Sequence, residues 1–503
     1  MLRSLGLWIV LFAAFSVAAQ AQRPGPPESG TTVPALLVSD IHFDPFHDPA
    51  KAKQLEAALV SQWQAILSAP DSAGQPQAFA TLQKSCGARG VDTPWPLLRS
   101  SIEAMHRQAP HARFITVSGD LVVHGLPCRF QALLPGQSQA SYEAFLEKTL
   151  QFVIEQLRAA FPGVPIHVAL GNNDTGCGDY HLDPDSAFLR ATAHIVAAAV
   201  PAAERRSVEE QFRTNGSYGA PLAPLHKTRL IVLNDLFLAP QYASCNGQPN
   251  PAPAQAELDW LSRQMDEAEE AGEHVWVMAH IPPGVNAFET VRRFRNVCSG
   301  EAPESFLVPE DSARLESILQ LRSSLIQLVL FGHTHMDEMR VVLVGQDLRR
   351  QLGEIGQLAS DKNTYRLVLR NIPMKLVPSI SPVDGNHPAF TVAAVEPNGT
   401  LKDYSVVVAS NLTGVGTAWS KEYDYAETYN EPDFSGEAVF DLLRKFDSDP
   451  KAQTPASRQY IQHYYKGKVG SALAPFWPQY ECSLDNLNPA DYTLCVCAQQ
   501  TSH

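Results

Sequence analysis

Short apolar runs recur along the first two thirds of the chain, and each ends on a small cluster of glycine, asparagine, aspartate or histidine. Ala35-Leu-Leu-Val38 leads into Ser39-Asp40-Ile41-His42, Phe114-Ile-Thr-Val117 into Ser118-Gly119-Asp120, and Ile166 to Leu170 into Gly171-Asn172-Asn173-Asp174. Arg229 to Leu233 ends at Asn234-Asp235, Val275 to Ala279 at His280-Ile281-Pro282-Pro283-Gly284, and Ile326 to Phe331 at Gly332-His333-Thr334-His335. Runs of this length bounded by turn formers read as buried strands. Apolar residues at helical spacing fill intervals at Lys53 to Ser68, Pro96 to Arg107, Tyr142 to Ala160 and Glu257 to Ala271, with a Gly, Pro and Ser loop up to about Gly90. Alternation of strand and helix predicts an α/β fold.

Further on the period changes. Met339 to Val344, Tyr365 to Leu369, Ala389 to Val395 and Tyr404 to Ala409 alternate with period two, and no helix-length interval separates the last two. They predict a second, partly antiparallel sheet packed on the first. From about Trp419 the composition shifts to Tyr, charged residues and short helical patterns such as Gly436 to Phe446 and Ser457 to Tyr465. The expected organisation is therefore a catalytic domain at residues 35–415 and a small helical subdomain at 416–503.

The chain opens with Arg3, an apolar run from Leu5 to Val17 and the small-x-small triplet Ala19-Gln20-Ala21. That is the grammar of a cleaved signal peptide over residues 1–21, followed by a flexible Pro- and Gly-rich leader over 22–34. The apolar core is short for a bilayer span, and no later stretch is long enough to cross one. Export to the outside or to a periplasm makes disulfides the expected state of the eight cysteines, and Cys495-Val-Cys497 is too tight for a zinc hook, so each should bridge elsewhere. A net charge of -14 excludes a nucleic-acid-coating role, because a basic face is needed to displace counterions from phosphate. A phosphorylated substrate would have to find its positive charge in bound metals.

Candidate chemistry sits on the strand ends. In an extended backbone Asp40 and His42 point the same way, and a carboxylate with an imidazole can grip a divalent cation from one segment. Asp120, Asn172, His280, His333 and His335 add the oxygen and nitrogen donors for two cations sharing a carboxylate. Two cations roughly 3.5 to 4 Å apart clamp the entering and leaving oxygens of an in-line displacement and make hydroxide available at neutral pH, which points to hydrolysis at phosphorus. His181 follows the third loop closely enough to line a substrate cleft. Asn234-Asp235 reads as a structural turn.

The order Asp-x-His, Gly-Asp with His124 four residues on, Gly-Asn-x-Asp, His-Ile-Pro-Pro-Gly and Gly-His-Thr-His resembles the calcineurin-like metallophosphoesterases. The Ala279 to Gly284 segment, His124, Trp419, Tyr423 and the Tyr-Lys-Gly around Tyr465 resemble their acid sphingomyelinase and sphingomyelinase-like phosphodiesterase branch. The resemblance implies two packed mixed β-sheets flanked by helices. It also implies a first metal on Asp40, His42, Asp120 and His335 and a second on Asp120, Asn172, His280 and His333, zinc being usual in the branch. His124 would approach the leaving oxygen. One departure is Asn173, where the family usually has a histidine that helps protonate the leaving group; an amide can donate a hydrogen bond to a phosphoryl oxygen but is no general acid. Another is the short interval before Asp40, which leaves no room for a saposin-like lipid-extracting domain. The expected substrate is therefore small and water-soluble, a phosphodiester or phosphoanhydride of nucleotide type. The alternatives are a sphingomyelin phosphodiesterase, an endopolyphosphatase, or a non-catalytic binder of a phosphorylated ligand.

Overall fold

The computed structural model of the protein describes residues 32–345, 370–465 and 473–501. The signal peptide, most of the leader and the expected strand at Tyr365 to Leu369 lie outside the described residues. Twelve strands are described, and they form two six-stranded mixed sheets. The first contains β1 (Val33–Val38), β2 (Ile115–Val117), β3 (Ile166–Val168), β10 (Ala389–Val395), β11 (Leu401–Ala409) and β12 (Trp419–Asp424), in the order β12-β11-β10-β1-β2-β3. The second contains β4 (Tyr218–Pro221), β5 (Thr228–Val232), β6 (His274–Met278), β7 (Ile326–Phe331), β8 (Glu338–Val342) and β9 (Ile372–Leu376), in the order β4-β5-β6-β7-β9-β8.

This division corrects the expectation that the late strands make a sheet of their own. β10 pairs antiparallel with β1 on the edge opposite the parallel β2, so β10 to β12 extend the first sheet, while β8 and β9 extend the second. A period-two pattern reports which face of a strand is buried, not which strand lies beside it. Trp419, read as the start of the helical region, instead opens β12, which is paired with β11.

Beyond shifts of a few residues at helix ends, two expected segments differ in kind. Lys53 to Ser68 is two helices, Ala52–Ala57 and Val60–Ser68, broken where Ala58 and Leu59 are extended. The carbonyl of Ala58 freed by the break is taken by Lys148 Nζ at 3.1 Å. The supposed loop before Gly90 contains a helix, Gln75–Ser85, with proline in its first turn. Proline there costs no hydrogen bond, since the first N–H groups of a helix have no partner within it. Pro76 thus opens a helix inside the interval expected to be loop.

The sheets share one core. Phe114 meets Trp276 edge-on at 5.7 Å between ring centroids, Trp276 Nε1 donates to Gly399 O at 2.6 Å, and Tyr218 OH accepts from Val168 N at 3.0 Å. At the carboxyl ends Ser118 Oγ donates to Phe331 O at 3.4 Å, so the ends of β2 and β7 are side by side. Ligands in open parallel sheets bind beyond this edge. The C-terminal helices support it from behind: Asp337 N donates to Tyr464 O at 3.0 Å, and a Cβ on Gly284 would lie 2.9 Å from Leu487.

The cysteines pair as Cys86–Cys128, Cys177–Cys245, Cys298–Cys497 and Cys482–Cys495. Cys495 and Cys497 bridge to different partners, as their spacing requires. The last helix, Pro489–Thr501, is thereby fastened both to Cys482 in the short helix before it and to the 298 loop.

Candidate metal centre

Seven side chains from five strand ends meet in one buried cluster, although their routes into it are not the simple one. β1 stops at Val38, and Asp40 (φ 47°) and His42 (φ 44°) both adopt left-handed backbone, so they converge by a kinked loop and not by the pleat of a strand. Asp120 (φ 56°), His333 (φ 68°) and His335 (φ 64°) share the feature. Left-handed backbone at a side-chain-bearing residue costs of order 1–3 kcal/mol and gathers at functional sites. The first two loops hold one another in place: Asp40 N donates to Gly119 O (3.0 Å), His42 N to Asp120 O (2.9 Å) and Phe43 N to Leu121 O (2.8 Å). Close approach demands glycine at Gly171, where a Cβ would lie 2.1 Å from Asp120 Oδ1, and at Gly332, where it would lie 2.0 Å from Ser39 Oγ.

The donors fall into two groups around Asp120. On one side His42 Nε2 lies 3.1 Å from His335 Nε2, and Asp40 Oδ1 lies 3.4 Å from His335 Nε2. On the other, Asn172 Oδ1 lies 3.2 Å from His280 Nε2 and 3.0 Å from His333 Nδ1. Asp120 Oδ2 stands between them, 3.4 Å from His42 Nε2 and 3.2 Å from His280 Nε2.

The donor set fits cations. His42 Nδ1 meets Val122 O at 2.9 Å and His280 Nδ1 meets Ser118 O at 2.8 Å. A carbonyl only accepts, so each Nδ1 carries a hydrogen and each Nε2 is the ring atom turned inward, offering a lone pair once its own proton has left. Asn172 Nδ2 donates to Asp179 Oδ1 at 2.8 Å, which likewise points the amide oxygen inward. Lone pairs and carboxylate oxygens thus face one another, an arrangement that requires positive charge at its centre. The same demand shows in the titration. Burial is the largest effect and opposes charge on both imidazoles, but Asp120 and Asp40, with Asp92 beside His42 and Asp235 beside His280, together outweigh it and hold His42 up at about 9 and His280 at about 10. His333, where burial and His280 act together, is pushed down to about 3.

A second layer of acids braces the loops. Asp174 accepts from Leu121 N (2.8 Å), Val122 N (3.0 Å) and Gly171 N (3.0 Å), and burial pushes it up to about 7. Asp235, read as part of a plain turn, opens the short 3-10 helix Asp235–Leu238 and accepts from Ile281 N at 2.8 Å beside His280. Asp384 Oδ2 meets His335 Nδ1 at 3.1 Å.

His124 stacks on His42 with ring centroids 3.8 Å apart. Its Nδ1 lies 3.0 Å from Asp92 Oδ1 and its Nε2 3.2 Å from Arg89 Nη2. His124 lies within metal reach of His42 and His335, but both of its ring nitrogens are engaged. Asn173 turns both donors on Asp120, the backbone N–H to Oδ1 (2.8 Å) and Nδ2 to Oδ2 (2.9 Å). His181 does not join the cluster; its Nδ1 meets the carbonyl of Asp179 at 2.6 Å, and Tyr180 reaches in instead, its OH 3.5 Å from His333 Nε2. Arg89, Asp92, Asp179, Tyr180 and Asp384 were not singled out from the sequence, where none stands in a recognisable pattern.

The family model described as calcineurin-like phosphoesterase matches residues 33–337, well over half of the chain and all of the cluster. The chain belongs to this family. As a calcineurin-like phosphoesterase it is a metal-dependent phosphoric ester hydrolase, and its fold implies two divalent cations. Acid sphingomyelinase-like phosphodiesterase 3b of Homo sapiens is 24% identical over 487 residues, covering 92% of this chain and 90% of that protein. Sphingomyelin phosphodiesterase 2 of Caenorhabditis elegans is 22% identical over 490 residues, covering 91% and 68%. Cyclic GMP-AMP phosphodiesterase SMPDL3A of Mus musculus is 23% identical over 429 residues, covering 80% and 82%. Among the described residues of this phosphoesterase no helix is long and apolar enough to cross a membrane.

Proposed function

We propose that this chain is an exported dimetal phosphoesterase that hydrolyses a water-soluble phosphodiester or phosphoanhydride of nucleotide type. The observation that carries the reading is the place of Asp120 Oδ2 between His42 and His280, at 3.4 and 3.2 Å. Asp40, His42, Asp120 and His335 hold one cation, and Asp120, Asn172, His280 and His333 the other. Zinc suits this mixed nitrogen and oxygen set. When bound, the pair supplies positive charge to the phosphoryl oxygens and acidifies water.

The chain's own residues orient and move protons. Asp92 holds His124 through Nδ1, and Nε2 is the atom that protonates the departing oxygen once Arg89 Nη2, 3.2 Å away, releases it. Asn173 fixes the two oxygens of Asp120 and donates no proton. His181 stands at the rim of the cleft, next to Tyr180. The four disulfides support export through an oxidising compartment by way of the signal peptide at residues 1–21. A catalytic domain followed by a helical subdomain is our division of the chain, and the pairing of β12 with β11 favours a boundary after Asp424 over the expected one at 415.

The name of the mouse relative supports a nucleotide-type substrate, and that of the worm relative supports sphingomyelin as the second reading. The test is turnover of bis-p-nitrophenyl phosphate by metal-stripped protein reloaded with zinc, manganese or iron, with Asp120→Asn as the control. A chelator-sensitive rate is expected. No rate above background in any of these metals would favour a non-catalytic binder. Efficient turnover of sphingomyelin vesicles without detergent would overturn the water-soluble substrate.

A further inference from the structure

Residues 86–93 cross the mouth of the metal centre as a strap fixed at both ends. Cys86 is bonded to Cys128, and Thr93 N donates to His42 O (3.1 Å) while Asp44 N donates to Thr93 O (2.9 Å). Midway, a Cβ on Gly90 would lie 2.0 Å from the carbonyl oxygen of Val383, and Gln83 Nε2 donates to Gly90 O at 2.8 Å. The backbone is thus held without help from Arg89, whose side chain is exposed. Arg89 Nη2 meets His124 Nε2 at 3.2 Å, and His124 lies flat on His42, so the guanidinium stands one imidazole away from a metal ligand, on the solvent side.

The carboxylates of the mouth have other partners: Asp92 and His124, Asp384 and His335, Asp179 and Asn172. A guanidinium carries five N–H donors in a planar fork, and His124 takes one of them. The remaining donors suit an anionic oxygen pair.

We propose that Arg89 binds a second anionic group of the substrate, adjoining the scissile phosphorus, so that the site favours a chain of phosphates over a diester with neutral or cationic flanks. This rests on the phosphoesterase reading and names the substrate class within it. The strap supplies the rigidity that makes a single exposed arginine worth binding energy, because the ordering cost is met by the Cys86–Cys128 bond and the Gly90 contact before the substrate arrives. Asp92 and His124 set the angle of the fork.

The test uses the full chain loaded with zinc and two non-hydrolysable inhibitors of bis-p-nitrophenyl phosphate turnover. Methylphosphonate presents one anionic group and methylenediphosphonate two. Arg89→Gln should weaken methylenediphosphonate by about tenfold or more while changing methylphosphonate by less than about twofold, the size expected for a charge-assisted pair. Arg89→Lys should restore part of the difference, as a point charge without the fork. Arg99→Gln, an exposed arginine on the helix Trp95–Gln108, controls for net charge and should move neither constant. Equal weakening of both inhibitors, or no change in either, overturns the proposal, the first by making Arg89 a support for His124 alone. Should the wild type fail to turn over the aryl diester, calorimetric binding of the same two phosphonates decides the role of Arg89 separately from the catalytic reading.

Discussion

Asn173 donates its backbone and side-chain N–H groups to the two oxygens of Asp120, at 2.8 and 2.9 Å. The residue standing where the family usually has histidine is therefore turned on the shared carboxylate. A histidine at 173 can keep one of these hydrogen bonds and add a proton donor. Asn173→His should raise the rate on alkyl diesters relative to bis-aryl phosphate by roughly tenfold or more, because only poor leaving groups need the extra acid. Parallel kcat/KM measurements on the two substrates give the ratio. An unchanged ratio would mean that His124 already suffices.

Metal loading should release protons. In the metal-free protein Asp120 and the neighbouring carboxylates overcome burial and hold His42 and His280 at about 9 and 10, so at pH 7 each carries a second ring proton that a cation must displace. Raised values mean that acid competes with metal: affinity falls as pH falls, and at pH 7 loading liberates roughly two protons. Calorimetry of zinc binding in buffers of different ionisation enthalpy counts them. Asp120→Asn removes the field that holds both protons and should lower the count. Zinc binding that released no protons would contradict this.

The strand ends were legible because they combine two independent signals, an apolar run and a donor residue, within a few positions. His280 after Val275 to Ala279 is such a case. What braces those donors was not legible, since it is adjacent only in space. Asp384 follows Ser-Pro-Val and precedes glycine, which locally reads as a turn, and nothing there announces His335. Arg89 and Asp92 sit past a helix that was taken for loop. The pairing of β10 with β1 was hidden for a related reason: alternation describes a face and leaves the neighbour unspecified. Even the correct convergence of Asp40 and His42 followed from the wrong geometry, because left-handed backbone leaves no trace in a sequence without glycine or asparagine at those positions.

Asp384 should tune the first cation without touching it. Its Oδ2 lies 3.1 Å from His335 Nδ1, leaving Nε2 to face Asp40 and His42. A carboxylate behind a ligating imidazole fixes the ring and raises its basicity. Asp384→Asn keeps a partner of the same shape but loses the charge, and metal affinity should fall by about 10- to 100-fold, with thermal stability of the metal-free protein changed little. Competition with a chromogenic zinc chelator measures the first quantity and a melting curve the second. Equal losses in both would make Asp384 a structural residue only.

Stability should decline toward alkaline pH through Glu257. This residue lies on the helix Ala252–Ala271 with 1% of its surface exposed; burial pushes it up to about 8, only partly offset by Ser217, whose hydroxyl donates to Oε2 at 2.8 Å. Its value in the unfolded chain is near 4.5. A raised folded value gives full stability below the unfolded pKa, with loss as pH climbs from 4.5 through 8. Each pH unit in that window removes up to about 1.4 kcal/mol. Glu257→Gln keeps the neutral shape and cannot ionise, so its melting temperature should match the wild type near pH 4.5 and exceed it at pH 8. Other groups titrate over the same range, and the difference between the two curves isolates this one. A constant offset between them at all pH values would show that Glu257 ionises without cost, through a partner other than Ser217.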